Sequence, residues 1–114
     1  SVVAIDIKPG NDANSINPRN RGVIPVAVLG SANFDATQVD SSTVEFGPGA
    51  APPVRDGRVK DVNGDGYPDV FFHFSTQATG LICGSNTASI QGMTFGDQRF
   101  VGSDSIHAVG CSKP

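Results

Sequence analysis

The sequence predicts an all-β fold, an immunoglobulin-like antiparallel β-sandwich of about seven or eight strands, and three observations lead there. Ten of the eleven acidic residues are Asp and only Glu45 is Glu, while Gly numbers 14 and Pro 8, a composition of turns and strands in which good helix formers are scarce. Short β-branched and aromatic runs recur at intervals of about a dozen residues, divided by Gly, Pro, Asn and Asp clusters. Finally, 114 residues are enough for one domain, 1–114, to bury a core of its own.

The elements follow in chain order. Val2 to Ile7 alternates β-branched residues with others and stops at Pro9-Gly10, which reads as the first strand. Residues 10 to 22 read as a loop in which Asn11, Asn14, Asn17 and Asn20 recur around Pro18. A second cation site with Asp12 is conceivable there, but neutral amides favour turn chemistry. The run from Gly22 to Gly30 is continuously apolar, as for a buried strand, and Pro25 assigns it to an edge or a bulge. Phe34 to Asp40 reads as a linking turn, and Thr43-Val44-Glu45-Phe46 as a third strand that ends in the linker of residues 47 to 53. A hairpin follows, with Arg58-Val59-Lys60 on one arm and Val70 to Phe74 on the other. Ala88 to Gln91, Gln98 to Val101 and Ser105 to Val109 complete the set.

The tip of that hairpin carries the chemistry. Asp61-Val-Asn63-Gly-Asp65-Gly66-Tyr67-Pro-Asp69 places oxygen-bearing side chains at positions 1, 3, 5 and 9 of a loop, with Gly66 at position 6, where the chain must turn sharply. Calcium (Ca2+) takes six to eight oxygen ligands, so side chains one residue apart can converge on it, and Tyr67 would offer its carbonyl. Position 12 is Phe72 where an EF-hand has a bidentate Glu, and strands flank the loop in place of helices. The loop therefore supplies about five or six oxygens, and water or a distant carboxylate from Asp6, Asp40 or Asp56 would complete the shell. Three carboxylates without that Glu predict an affinity on the order of 0.1 to 1 mM, suited to a structural ion outside the cell. The competing reading is an ordinary Asp/Asn/Gly surface turn.

Charge and cysteine content narrow the classes further. A net charge of −3 with eight scattered basic residues offers no patch for nucleic acid, and no apolar run reaches the length of a membrane span. The chain begins at Ser1 without a signal-like segment, as an excised module or a processed product would, and it reads as a monomer. Cys83 and Cys111 could form one disulfide, contributing roughly 3.6 kcal/mol in the chain-entropy model, or stand as two buried thiols.

The stretches Asp6-Ile-Lys-Pro-Gly10 and Gly22-Val-Ile-Pro-Val-Ala-Val-Leu-Gly30, the acidic loop with its Phe-His-Phe strand, and Gly102-Ser-Asp-Ser-Ile106 together resemble a calcium-loop β-sandwich accessory module of bacterial secreted and surface multidomain proteins. The likeness covers nearly the whole chain. It implies a non-catalytic, secreted or cell-surface module whose partners are the neighbouring domains of a larger protein. The acidic loop alone is similar to those of dockerins and FG-GAP repeats, which by position implicates Asp61, Asn63, Asp65, the Tyr67 backbone and Asp69. Dockerins need two loop–helix copies and propellers several blades, so cohesin or integrin-type binding does not follow.

Other chemistry fits these residues less well. His73 or His107 with Ser103, Asp104 or Ser105 could be drawn as a triad, but no nucleophile-elbow motif is present and both histidines lie in expected strands. Cys83, Cys111, His73 and His107 lack the short spacings of a zinc site, and the glycines at 64 and 66 sit among carboxylates that repel phosphate. Polysaccharide binding is the strongest rival, although the chain has no Trp and a single Tyr to form an aromatic platform. A protein-adhesion role is the third reading, through the edge at Pro25 or the loop of residues 47 to 57.

Overall fold

The computed structural model describes residues 1–111. Among the described residues nine strands form: β1 (Ile5–Ile7), β2 (Ser15–Ile16), β3 (Val23–Val28), β4 (Glu45–Phe46), β5 (Arg58–Lys60), β6 (Asp69–Ser75), β7 (Thr87–Met93), β8 (Arg99–Ser105) and β9 (His107–Ala108). They assemble as a four-stranded antiparallel sheet in the order β1-β3-β6-β5 and a three-stranded antiparallel sheet in the order β4-β7-β8. The expected all-β sandwich is the observed architecture. A small parallel pair, β2 with β9, was not foreseen, because residues 15 and 16 lie in a stretch whose Asn and Pro content reads as loop.

Alternation decides which side chains enter the core. Ile5 and Ile7 of β1, Ile24, Val26 and Val28 of β3, and Val70, Phe72 and Phe74 of β6 are buried at every second position, and Phe46, Ala88, Ile90 and Phe100 bury from the other sheet. Phe46 stacks on Phe74 with ring centroids 4.9 Å apart, an aromatic contact worth about 0.5–1.5 kcal/mol beyond area burial that couples the two sheets. Phe34 and Phe100 meet at 5.7 Å. Most of the seven Phe residues are therefore core, as their strand positions imply.

Pro25 is the clearest departure from expectation. The strand it occupies is interior, paired with β1 on one side and β6 on the other. The tolerance is local. Pro25 lies one residue past the last β1 pair, Ile7 with Val26, and its carbonyl accepts the Lys8 N–H at 2.8 Å. The reciprocal donor is the one proline lacks, and the Lys8 carbonyl instead accepts from the Asn11 N–H at 2.9 Å. No ladder partner is left unsatisfied.

The N-terminal segment also differs, since it serves both sheets in place of extending one strand from Val2. Val3 donates to the Val101 carbonyl and Val101 to that of Ser1, each at 2.9 Å, whereas Ala4 already accepts from Leu29 beside β3. Residues 41 to 43 form a 3₁₀ turn where the third strand was expected to begin, because Asp40 accepts the Ser42 N–H and caps it; Asp35 caps the turn at Ala36–Gln38 in the same way. Cys83 and Cys111 are joined in a disulfide with Cα atoms 5.8 Å apart.

Where β1 meets β8, the Asp104 carboxylate accepts the Ile7 N–H and the amide of buried Asn14. Asp6 sits nearby. Partial burial raises its pKa above the ordinary 3.8, and the charges of Asp104 and Asp12 raise it further. A folded-state pKa above the unfolded one means that stability falls as pH rises through the folded value and stays lowered at neutral pH. Asp6→Asn should therefore melt higher than the parent near neutral pH, with the gap closing at pH 3 or below; thermal melts across that range test it, and a gap independent of pH would contradict the account.

Candidate functional site

The acidic loop occupies the predicted place, between β5 and β6, whose register pairs Lys60 with Asp69. Positive φ at Gly64 (71°) and Gly66 (86°) lets the chain reverse twice within the loop, a conformation side-chain-bearing residues rarely adopt. Asp61 organises the turn: its Oδ1 accepts the N–H groups of Gly64 (2.9 Å) and Asp65 (3.3 Å), and its Oδ2 accepts that of Gly66 (3.0 Å). Asn63 Oδ1 accepts from Asp65, and Asp65 Oδ1 from the Tyr67 N–H at 2.9 Å. Asp61, Asn63, Asp65 and Tyr67 all lie exposed on the surface.

Asp69 behaves differently. It is fully buried, its Oδ1 accepting the Gly30 N–H and its Oδ2 the Val62 N–H, both at 2.8 Å. One carboxylate thus joins the end of β3, the loop and the start of β6. The approach is close: a Cβ on Gly30 would stand 2.1 Å from the Pro68 carbonyl oxygen, so only glycine fits there. Phe72, at loop position 12, is buried in the core and supplies no ligand.

The fit to calcium rests on the donor set. Among the described residues, no three His, Cys, Asp or Glu side chains come together as a metal-holding group by themselves. An ion here would depend on the Asn63 amide and the Tyr67 carbonyl as well as on carboxylates, the mixed oxygen set that calcium takes. Both Asp69 carboxylate oxygens are already engaged by backbone amides, those of Gly30 and Val62, which compensate its burial.

Of the distant carboxylates named as additional ligands, Asp40 caps its 3₁₀ turn, Asp6 faces Asp104 and Asp12, and Asp56 lies exposed on the surface. Of the recurring asparagines, Asn17 and Asn20 serve turns, accepting from Arg19 and Gly22, whereas Asn14 is buried and donates to Asp104 and Ser105. The role of Asn14 had no signal in the sequence, since its partners lie about ninety residues away. The cysteines are consumed in their disulfide, which removes the zinc set. His73 packs edge-on against Phe71 within β6, and His107 lies exposed in β9.

No known protein family, no curated protein and no solved structure matches this chain.

Removing the Asp69 carboxylate leaves two N–H groups without their acceptor. Asp69→Ala should cost roughly 2–4 kcal/mol in urea unfolding, even in the presence of a chelator. Gly30→Ala should be destabilised by steric conflict alone. Parent-like stability in Asp69→Ala would show that those two amides find other acceptors.

Proposed function

We propose that this chain is a non-catalytic, calcium-binding accessory module of a secreted or cell-surface bacterial multidomain protein. The observation that carries the reading is the loop at the β5–β6 tip. Its oxygen-bearing side chains alternate along a double glycine turn, and its last carboxylate, Asp69, is buried and reaches back to the end of β3. Asp61, Asn63, Asp65, Asp69 and the Tyr67 carbonyl would hold the ion. Its contribution would be a restraint on the loop: a divalent cation would draw the carboxylates at positions 61, 65 and 69 toward one centre and neutralise them there.

Two further features support the setting. The Cys83–Cys111 bridge suits an oxidising compartment. A scaffold role suits the site, because the loop is tied through Asp69 to two strands of the larger sheet and holds no positioned nucleophile or base. The carboxylates of such a loop, engaged by backbone amides and a cation, are poor proton donors for glycosidase chemistry.

Calorimetric titration with calcium should give one site with a dissociation constant on the order of 0.1 to 1 mM. At a hundredfold excess over that constant the fold should gain about 2.7 kcal/mol, seen as a rise in melting temperature that a chelator reverses. Asp65→Ala should abolish the rise and Asp12→Ala should leave it intact. The absence of any calcium-dependent shift in the parent protein would refute the reading.

A further inference from the structure

Asn63 is the only asparagine in the chain that is followed by glycine, and it stands in an exposed turn. That pairing carries a chemistry of its own. A backbone nitrogen can attack the side-chain carbonyl of the asparagine before it, and glycine, with wide backbone freedom and no side chain to crowd the approach, presents the most open nitrogen. From the geometry of the loop we infer that Asn63–Gly64 is a site of spontaneous deamidation, and that the Asp61 carboxylate sets its rate by holding the attacking nitrogen. The inference stands apart from the calcium reading and needs no bound ion.

The reaction balances with water as its only co-reactant. The Gly64 nitrogen gives its proton to solvent and bonds to Cγ of Asn63; the Cγ–Nδ2 bond breaks, and the leaving nitrogen takes up a proton and departs as ammonia. Water then opens the cyclic succinimide at either carbonyl. One opening leaves Asp at position 63. The other leaves isoaspartate, whose main chain runs through the side-chain carbon and is longer by one methylene. Either product carries a carboxylate where the amide stood.

Access and restraint are both visible in the loop. Asn63 and Gly64 are exposed, and a Cβ built on Gly64 would meet nothing within 4 Å, so water reaches the reacting atoms without obstruction. The restraint is the hydrogen bond from the Gly64 N–H to Asp61 Oδ1 at 2.9 Å. It occupies the nitrogen that must attack, and the negative charge beside that nitrogen opposes loss of its proton. Asn63 Oδ1 accepts from the Asp65 N–H at 3.4 Å, which engages the side-chain carbonyl with a different amide. Deamidation therefore waits on a local opening in which Asp61 releases Gly64, and its rate follows the population of that opening. The other carboxylate oxygen of Asp61 holds the Gly66 N–H at 3.0 Å, so one side chain restrains both glycine nitrogens of the loop.

The test incubates the parent, Asp61→Ala and Asp65→Ala at neutral pH in chelator and follows position 63 by peptide-mapping mass spectrometry that separates Asp from isoaspartate. In concentrated urea the parent should convert roughly ten- to hundredfold faster than when folded, the effect of losing one charge-assisted hydrogen bond. Folded Asp61→Ala should approach the urea rate. Asp65→Ala should stay near the parent rate, because its carboxylate accepts from Tyr67 and not from Gly64. The exposed Asn20 and Asn33, followed by Arg21 and Phe34, should remain amides and serve as internal references. If Asp61→Ala does not fold, Asp61→Asn, uncharged but still an acceptor, takes its place and should convert at an intermediate rate. An Asn63 that stays intact in urea would overturn the site. A folded parent that converts at the urea rate, or equal acceleration in the position 61 and position 65 variants, would overturn the role of Asp61.

Discussion

The Asp69 carboxylate is the constraint on which the acidic-loop end of this sandwich depends. Two backbone amides, from Gly30 at the end of β3 and Val62 in the acidic loop, converge on a side chain with no solvent exposure. A neutral side chain of the same shape could not accept both bonds, and an amide left without an acceptor in that position would cost about 1–3 kcal/mol. The loop's shape is therefore a property of the sheet beneath it. The exposed carboxylates Asp61 and Asp65 shape only the turn itself, each accepting amides from residues no more than five positions away.

Behind that constraint lies a division of labour between core and rim. The core is aromatic and β-branched, with Phe46 stacked on Phe74 across the two sheets. Polar ties close the rim instead. Asp104 with Asn14 fastens β1 to β8, the N-terminal segment bridges both sheets, and the Cys83–Cys111 disulfide anchors the chain after β9. A cation in the loop would be one more such tie. That arrangement suits a module whose exposed loops serve a task while the sandwich holds them still.

A cleft beside the loop has the same origin. It exists because the N-terminal segment crosses from β8 to β3 and the 29–34 connection leaves β3 at Gly30, so two segments far apart in sequence come to border Asn63 and Asp65. The Gly30 amide that Asp69 holds lies at the root of one of them. Rigidity in the loop and the form of the cleft are consequently linked through a single carboxylate.

The all-β class, the hairpin around residues 61 to 69 and the burial of the Phe-rich strand were legible in the sequence, because each is written in local terms: period-two alternation, glycine at sharp turns, and short acidic side chains at alternate positions. Misreadings arose where a distant partner decided the outcome. Pro25 belongs to an interior strand because β1 ends beside it and Asn11 takes up the carbonyl left over. Ser15 and Ile16 form a strand only because β9 returns next to them. Asn14 is buried because Asp104 and Ser105 receive its amide. The residue types and spacing of the loop were determined locally. Its attachment through Asp69 to Gly30, and the cleft it borders, were decided by the tertiary structure alone, since hydrogen bonds and cavities between remote segments have no period or spacing along the chain.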